Sequence, residues 1–428
     1  VQAGWVMTNE SWFPKNAGIN YLRLNAGYEI SGNDDINGNA ARTSFEVLKF
    51  LHNSIPAVQL DNIGNENVTF EKTHRFNVGF DSKWLDNRLC LSANYFFNHT
   101  TDLLTIKNFT TPVAGVKSYW SNAGSLDNKG FEVQVSGKPV VNRNFTLELG
   151  ASVGHYKNTI KSLPNETYLA VDGNEKGGLG YTSSIYGTDN VATIVGQSAG
   201  VFYGYKTLGV FASDAEAKAA GKDGYLYQVD KTGARQEFKA GDVHFADLNG
   251  DGIISDADKT IIGNPNPDVY GNMFARATWG NFTLSAVFSY SLGNDIFNYQ
   301  RSVLEGGKNF YNQTTAMVNR WRNEGQVTNV PRISYNDEIG NSRFSDRWIE
   351  DGSYLRLRSL NLNYKVPVNF SWLQGLQVWV EANNLFTITK YLGGDPEMSA
   401  ANAVLYQGID TGCVAPGRAF TVGLKINL

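Results

Sequence analysis

The stretch that decides the fold is Phe282-Thr-Leu-Ser-Ala-Val-Phe-Ser-Tyr-Ser-Leu292. Apolar or aromatic side chains occupy every second position from Phe282 to Tyr290, and most positions between them carry serine or threonine. Successive side chains of a β-strand point to opposite faces, so this alternation predicts a strand with one apolar and one polar face. The same two-residue period predicts further strands at 22–30, 76–80, 89–97, 131–135, 145–153, 376–382 and 420–428.

One predicted strand contains a change of phase. Near Tyr354 the apolar positions pass from odd to even numbers, and this predicts a β-bulge at Arg358 or Ser359.

The connections between the predicted strands alternate in length. Short turns are predicted at 14–18, 85–87, 140–143, 280–281 and 367–372, and long polar loops at 31–71, 107–127, 158–267, 293–352 and 387–417. Short turns on one side and long loops on the other are typical of outer-membrane β-barrels, whose strands need about 9–11 residues to cross the bilayer.

The predicted fold class is all-β, with about eleven antiparallel strands. Because bacterial barrels have an even strand number, about half of a barrel is expected to lie elsewhere. A soluble β-sandwich with a hydrated polar face fits the alternation equally well.

The composition excludes several classes of protein. Aromatic residues make up 13% of the 428 residues, which argues against disorder. The net charge of −4 provides no basic field to attract nucleic acid. The two cysteines, Cys90 and Cys413, cannot form a disulfide framework or a zinc site. No nucleophile elbow, phosphate-binding loop or dinucleotide fingerprint occurs, so no enzyme activity and no catalytic residue are predicted. The chain does not begin with Met and has no leader pattern, which predicts a mature or C-terminal piece.

A twelve-residue stretch, Asp247-Leu-Asn-Gly-Asp-Gly-Ile-Ile-Ser-Asp-Ala-Asp258, has the ligand spacing of a calcium loop. Side-chain oxygens stand at loop positions 1, 3, 5, 9 and 12, and a backbone carbonyl at position 7 completes the set. The predicted ligands are Asp247, Asn249, Asp251, Ile253, Ser255 and Asp258. They are expected to hold a structural Ca²⁺ or Mg²⁺ in an extracellular loop. The alternative is an Asx-rich turn that needs no ion.

Other loop features are predicted from local patterns. Ser213 and Glu216 predict a capped helix that ends before Gly221, and 314–323 predicts a second short helix. Aromatic pairs and runs in the loops suit stacking on sugars, contact with a partner or packing of the loops on one another: Phe202-Tyr203-Gly204-Tyr205, Tyr119-Trp120 and Phe310-Tyr311. Aromatic residues near strand ends predict an interfacial girdle: Trp84, Trp279, Tyr290, Trp379 and Phe386.

Several further stretches occur in a fixed order along the chain. They are Leu22-Arg-Leu-Asn-Ala-Gly-Tyr28, Asn122-Ala-Gly124, Asn128-Lys-Gly-Phe-Glu132, Gly196-Gln-Ser-Ala-Gly-Val-Phe-Tyr-Gly-Tyr205, Asp247-Leu-Asn-Gly-Asp-Gly252, Gly263-Asn-Pro-Asn-Pro267, Ser345-Asp-Arg347, Asp351-Gly-Ser-Tyr-Leu-Arg-Leu357, Asn383-Asn-Leu-Phe386, Thr389-Lys-Tyr391 and Gly394-Asp-Pro-Glu397. Through this ordered set the chain resembles the C-terminal half of SusC/RagA-like TonB-dependent transporters of Bacteroidota. The resemblance covers nearly all of residues 1–428.

The resemblance implies a plugged outer-membrane barrel of about 22 strands that imports glycans or peptides. It implies that residues 1–428 are the C-terminal part of this barrel, with the plug and the N-terminal strands outside this chain. The implied partners are that plug-bearing segment, a SusD-like surface lipoprotein, TonB acting through the missing segment, outer-membrane lipid, and an oligosaccharide or peptide substrate; no nucleic acid is implied. Leu428 stands where the family usually ends on an aromatic residue.

Two other functions are compatible with parts of the sequence. One is a secreted, calcium-stabilised β-sandwich that binds carbohydrate. The other is a siderophore-type receptor without a lipoprotein lid, against which the motifs at 351–357 and 394–397 argue.

Overall fold

The computed structural model describes residues 1–14, 18–36, 38, 40–50, 55–113, 116–164, 167–368 and 372–427. Its main element is one antiparallel sheet, here called the wall, in which eleven strands follow one another in chain order. The wall strands are Gln2–Val6 (β1), Ile19–Asn33 (β2), Glu71–Trp84 (β3), Leu89–Thr101 (β4), Ser125–Val141 (β5), Phe145–Ser162 (β6), Val269–Trp279 (β7), Phe282–Leu292 (β8), Tyr354–Val366 (β9), Gly375–Asn383 (β10) and Ala419–Asn427 (β11). The prediction of about eleven antiparallel strands is confirmed.

Short and long connections alternate between the wall strands, as predicted. Leu85, Asp86 and Asn87 join β3 to β4 in the left-handed region, with φ between 53° and 62°. The turn from β7 to β8 has only two residues, and Gly280 takes φ +55° there, a conformation that glycine adopts without strain. The long connections all lie at the opposite ends of the wall strands from the short turns. The predicted turns at 14–18 and 367–372 include residues outside the described ones, at 15–17 and 369–371. Residue 428, the last of the final predicted strand, also lies outside them.

The predicted bulge is confirmed in β9. Val287 of β8 pairs with Ser359, whereas the next residue, Phe288, pairs with Leu357. Arg358 is therefore the extra residue. The bulge returns the apolar side chains of β9 to one face after the change of phase.

Cross-strand pairing places apolar residues in continuous rows. One row runs through Leu149, Ala275, Ala286, Leu360, Ala382 and Phe420. The adjacent row, on the opposite face, runs through Glu148, Arg276, Ser285, Asn361, Glu381 and Thr421. The wall thus has one apolar face and one polar face. Side chains of the apolar face stay solvent-accessible in the isolated chain, with Val422 73% exposed, so this face needs an apolar environment such as lipid.

The aromatic girdle was predicted correctly in part. Trp84 and Trp279 lie beside short turns on the apolar face, and Trp279 is 70% exposed. The assignment of Trp379 to the girdle was wrong. Apolar residues of β10 stand at even positions, so Trp379 shares the polar face with Glu381. Its indole covers Gly423, where an added Cβ would lie 2.0 Å from the ring.

The buried hydrophobic clusters of the described residues lie in the long loops, whereas the wall contributes isolated buried apolar residues such as Ile160, Leu357 and Ala382. The largest fully buried side chains are Trp348, Phe202, Phe211, Phe238, Phe245 and Phe297, all between 163 and 353. The loops 163–268, 293–353 and 384–418 together form what we call the loop layer. A soluble sandwich would bury the apolar faces of two packed sheets, and the wall instead is a single sheet.

The loop layer is built from short elements. Its five-stranded sheet pairs Tyr168–Val171, Asn174–Ser183, Val191–Ile194, Val201–Tyr205 and Lys259–Gly263 in that order. A three-stranded sheet pairs Ile349–Asp351, Asp295–Asn298 and Ile409–Asp410, so it joins the loop 293–353 to the loop 384–418. Two-stranded ladders form from Thr207–Val210 with Val243–Phe245 and from Tyr227–Val229 with Arg235–Glu237. Elsewhere, Ser44–Phe50 pairs with Ile55–Asn62, Leu104–Val113 with Val116–Asn122, and Thr387–Thr389 with β9.

Helices are few and short. The α-helices are Asp214–Ala220 (α1) and Tyr299–Leu304 (α2), and 3₁₀ turns occur at Met7–Asn9, Asp256–Asp258, Thr315–Asn319, Tyr335–Asp337, Asp346–Trp348 and Val404–Tyr406. The helix capped by Ser213 is confirmed, since its side chain accepts a hydrogen bond from the Glu216 amide. The helix predicted over 314–323 was wrong beyond the 3₁₀ turn. Trp321 leaves the helical path because its indole N–H donates to the Ala212 carbonyl at 3.0 Å and its amide to the Val330 carbonyl. Among the described residues, no helix has the length and apolarity required to span a membrane.

Candidate functional site

The loop layer encloses a cavity of about 610 Å³, a size typical of small-ligand sites. The strands Val201–Tyr205 and Asp295–Asn298 and the segment 342–348 contribute eight of its eighteen lining residues. The aromatic lining residues are Tyr186, Tyr203, Tyr205, Phe297, Tyr299, Tyr311, Phe344 and Trp348. The charged lining residues are Lys259, Lys308 and Arg343, and the lining also includes Thr188, Ser302, Asn309 and Ser342.

Two buried tyrosines form one side of this cavity. The Tyr203 hydroxyl donates to the Ala170 carbonyl at 2.9 Å, and the Tyr205 hydroxyl donates to Asp256 Oδ1 at 3.1 Å. Burial raises the pKa of Tyr203 to about 12 and also raises the pKa of Tyr205. Both hydroxyls therefore stay protonated at neutral pH. Of the three roles considered for this aromatic run, packing of the loops is the one observed, and Tyr203, Gly204 and Tyr205 also line the cavity.

Tyr186 is held at the cavity in an uncommon backbone conformation. Its φ of 55° is left-handed, which is unfavourable for a bulky residue and often marks a functional segment. Asn190 fixes the segment by accepting from the Ile185 amide and donating to the Ile185 carbonyl, both at 2.8 Å. The Tyr186 ring lies 5.1 Å from the Tyr299 ring and is 48% exposed. The turn thus presents an accessible aromatic ring on a fixed backbone.

The three cations of the cavity differ in their surroundings. The Arg343 guanidinium lies 4.7 Å from the ring centre of Phe245 and 5.0 Å from that of Tyr205. Its Nε donates to the Gly340 carbonyl, and burial lowers its pKa. Lys259 forms an ion pair with Asp256 at 2.9 Å, whereas Lys308 is exposed. Among the described residues, no ion pair includes Arg343 or Lys308.

None of the cavity residues was predicted as a ligand site from the sequence, apart from the aromatic runs at 202–205 and 310–311. Tyr186, Lys259 and Arg343 are far apart in the chain and carry no motif spacing. The short motif at 345–347, which follows Arg343, was the nearest available signal.

The predicted metal loop folds as a turn closed by its own hydrogen bonds. Asp247 accepts from the amides of Gly250, Asp251 and Gly252, and Asp251 Oδ1 accepts from the Ile253 amide. Both glycines have positive φ, at 74° and 81°.

The last predicted ligand closes the loop from inside. Asp258 is fully buried, and its two oxygens accept from the Leu248 and Ser255 amides, each at 2.9 Å. Burial raises the pKa of the Asp258 carboxyl. Among the described residues, no group of three or more His, Cys, Asp or Glu side chains is arranged to hold a metal ion. The ion at Asp247, Asn249, Asp251, Ile253, Ser255 and Asp258 stays a prediction.

A buried carboxylate ties the two longer loops together. Asp242 is fully buried and accepts from Arg332 Nε at 2.7 Å, Arg332 Nη2 at 2.9 Å and Asn341 Nδ2 at 2.9 Å. The Lys239 amide donates to Asp242 Oδ2. These contacts join residues about 90 positions apart, so Asp242 fixes the loop segment that ends at the cavity.

Substituting Asp242→Asn is expected to lower the stability of the loop layer by about 2 kcal/mol, because Arg332 loses its charged partner and an NH2 group replaces one of the two accepting oxygens. Limited proteolysis of the purified protein measures this change as faster cleavage within 163–268 and 293–353. The exposed Asp223→Asn is the matched control, and we expect its cleavage rate to equal that of the wild type. Equal rates for both variants contradict the assigned role.

Two of the ordered sequence motifs meet in space at β9. Arg356, 2% exposed, donates to Asp395 Oδ1 at 2.6 Å and to Glu397 Oε2 at 2.5 Å. Tyr354 and Arg358 also donate to Glu397. We call this group the β9 clasp. It anchors the loop 384–418 to the wall, which gives a physical reason for the motifs at 351–357 and 394–397.

A third motif joins the two longer loops. Asp346 accepts from the Thr207 hydroxyl at 2.6 Å and from the Thr207 amide. Arg347 donates to the Asn341 carbonyl, and burial lowers its pKa to about 10. It remains charged at neutral pH and lies 4.7 Å from the Trp348 ring centre.

The chain is similar in sequence to proteins of known class. No family model matches it. It is 31% identical to the TonB-dependent receptor P3 of Formosa agariphila over 99% of the chain and 41% of that receptor. It is 25% identical to the TonB-dependent receptor SusC of Bacteroides thetaiotaomicron over 99% of the chain and 39% of SusC. The chain is SusC/RagA-like and related to these TonB-dependent receptors.

The fold of this SusC/RagA-like chain agrees with the relationship. A chain in the structure of the RagAB peptide transporter superposes with a TM-score of 0.74 at 21% identity, over 99% of this chain and 43% of that one. The SusC/RagA-like chain spans about two fifths of the length of the curated relatives it matches. The relationship places it in the bacterial outer membrane, and the wall matches part of the β-barrel of such receptors in fold.

Proposed function

We propose that this SusC/RagA-like chain forms part of the wall and the outer loops of an outer-membrane importer for glycans or peptides. The observation that carries the proposal is the wall of eleven strands with one apolar face. Its long connections form the loop layer at one end of the strands, and this layer contains the cavity. The relationship to TonB-dependent receptors supports an import role. In this role the protein is a transporter component and not an enzyme.

The free edges of the wall support a partner segment that completes the barrel. Within the described residues, β1 pairs only with β2 and β11 pairs only with β10. In a bilayer, unpaired backbone N–H and C=O groups are costly, so spanning sheets close on themselves. We propose that strands of a plug-bearing segment pair with both edges. TonB acts through that segment, and a SusD-like surface lipoprotein covers the loop layer.

Affinity purification tests this proposal. A tag inserted in the exposed segment near Lys222, followed by detergent extraction of membranes and mass spectrometry, is expected to recover a plug-bearing polypeptide and a surface lipoprotein in comparable amounts. Loss of substrate uptake in cells that lack this chain is expected in parallel. Recovery of the folded chain alone from the aqueous fraction would overturn the proposal and favour a secreted carbohydrate-binding protein.

We also propose that the loop from Asp247 to Asp258 binds Ca²⁺, or Mg²⁺ more weakly, in a structural role. The support is its ligand spacing and the two left-handed glycines that wrap it. Binding requires small movements of Asp247 and Asp251, whose oxygens accept backbone N–H groups in the present structure.

Adding millimolar Ca²⁺ to chelator-treated protein is expected to raise the midpoint of thermal unfolding by a few degrees, because an ion that binds only the folded state stabilises it. The shift is expected to vanish in Asp251→Ala. The raised pKa of Asp258 adds a pH dependence. Without the ion, this group favours the folded state below its unfolded pKa of about 3.9, and that contribution is lost as pH rises through the folded pKa. The Ca²⁺ effect is therefore expected to grow with pH. An equal shift in wild type and Asp251→Ala would exclude this site.

A further inference from the structure

The charged groups that line the loop-layer cavity all have the same sign. Lys259, Lys308 and Arg343 line it, and no Asp or Glu does so among the described residues. Two carboxylates lie near Arg343 and are already engaged. Asp256 pairs with Lys259 and accepts from Tyr205, and Asp337 accepts from the backbone amides of residues 341 and 342. The three cations outnumber these two carboxylates, so the cavity keeps an excess of positive charge, which favours an anionic ligand.

Arg343 strengthens this inference because of how it is buried. A guanidinium taken out of water is costly unless it is paired with a carboxylate or another anion. Arg343 has no carboxylate at ion-pair distance among the described residues and relies on carbonyl oxygens, the Gln228 side chain and aromatic rings. A ligand carboxylate in the cavity would supply the missing counter-charge.

The rest of the lining suits a sugar ring. Tyr186 and Tyr299 provide aromatic faces, and Tyr186 is fixed by its clamped turn. Aromatic rings with a polar edge pack against the flat, partly apolar faces of pyranose rings. Ser302 and Asn309 add neutral hydrogen-bonding groups for hydroxyls.

We propose that this cavity binds an acidic oligosaccharide, whose carboxylates contact Lys308 and Arg343 and whose rings pack against Tyr186 and Tyr299. The proposal rests on the proposed importer function and names its substrate class.

Calorimetric binding tests the proposal with the receptor assembly purified in detergent through a tag in this chain. The probes are a galacturonic acid tetramer, its fully methyl-esterified form and a glutamate tetramer. We expect the acidic sugar to bind at least about tenfold more tightly than the ester, because the ester keeps the rings and loses the charge. Raising the salt concentration is expected to weaken binding of the acidic sugar and to leave binding of its ester unchanged. Equal affinity for acid and ester overturns the proposal, and so does tighter binding of the glutamate tetramer.

Substitutions assign the effect to the cavity. Lys308→Gln is expected to weaken acidic-sugar binding about two- to fivefold, as for an exposed charge pair, and Lys308→Arg to retain it. Adding Lys259→Gln is expected to weaken binding further. Lys222→Gln removes an exposed charge of the same loop layer outside the cavity and is expected to leave the affinity unchanged. Unchanged binding in the double variant contradicts the site.

Uptake separates this proposal from the importer function. Specific binding without any uptake in cells would reject the importer role and keep the binding site. Uptake of neutral sugars or peptides without acidic-sugar binding would reject the substrate class and keep the importer.

Discussion

Replacing Arg356 with methionine is expected to destabilise the attachment of the loop 384–418 by about 3–5 kcal/mol, the usual cost of removing one partner of a buried ion pair. Arg356 is the centre of the β9 clasp, with Asp395 and Glu397 within 2.6 Å. Its removal leaves Asp395, whose side chain is 4% exposed, as a buried charge without its partner. The loop is then expected to detach from the wall.

Hydrogen exchange of the detergent-purified protein measures this effect as loss of protection within 384–418. Arg358→Met is the matched control. It also removes an arginine that donates to Glu397, but this side chain is 37% exposed, so the expected loss is below about 1 kcal/mol. Equal loss of protection in the two variants would show that burial of Arg356 does not determine the strength of the clasp.

The second large effect concerns the apolar face of the wall. Ala286 lies mid-strand in β8, between Ala275 and Leu360 in the apolar row. Ala286→Arg places a charge toward the hydrocarbon core and is expected to cost about 2–4 kcal/mol, which lowers the fraction that folds in the membrane. The heat-modifiable folded fraction in isolated outer membranes measures this directly.

Ser285→Arg is the control for that experiment. Ser285 is the neighbouring residue on the polar face, between Arg276 and Asn361. An added arginine there enters a hydrated surface, and we expect its folded fraction to stay close to that of the wild type. If Ser285→Arg reduces folding as strongly as Ala286→Arg, the two faces do not differ in environment.

The wall could be predicted from sequence because a period of two is a local signal. Every even-numbered position of Phe282–Leu292 is apolar, and even the bulge at Arg358 was visible as a change of phase. Trp379 was misplaced although the same rule applies to it. A tryptophan near a strand end suggested a place in the interfacial girdle, whereas the odd-numbered position of Trp379 places its side chain on the polar face.

The loop layer could be predicted only in fragments because its contacts are long-range. Arg356 and Asp395 are 39 residues apart, and the motifs that contain them gave no sign that they touch. The cavity brings together Tyr186 and Lys259 of one loop and Arg343 of another, with no sequence spacing to reveal it. The helix expected after Thr314 failed for the same reason, since tertiary hydrogen bonds of Trp321 override its local preference.

A labelling scan along β8 tests the central claim that the wall crosses the outer membrane with one face in lipid. Single cysteines at 283, 284, 285, 286 and 288, in a chain lacking Cys90 and Cys413, carry a fluorophore in the reconstituted receptor assembly. We predict that brominated lipid quenches the labels at 284, 286 and 288, and that aqueous iodide quenches those at 283 and 285. Equal quenching from water at both sets would contradict a membrane-spanning wall.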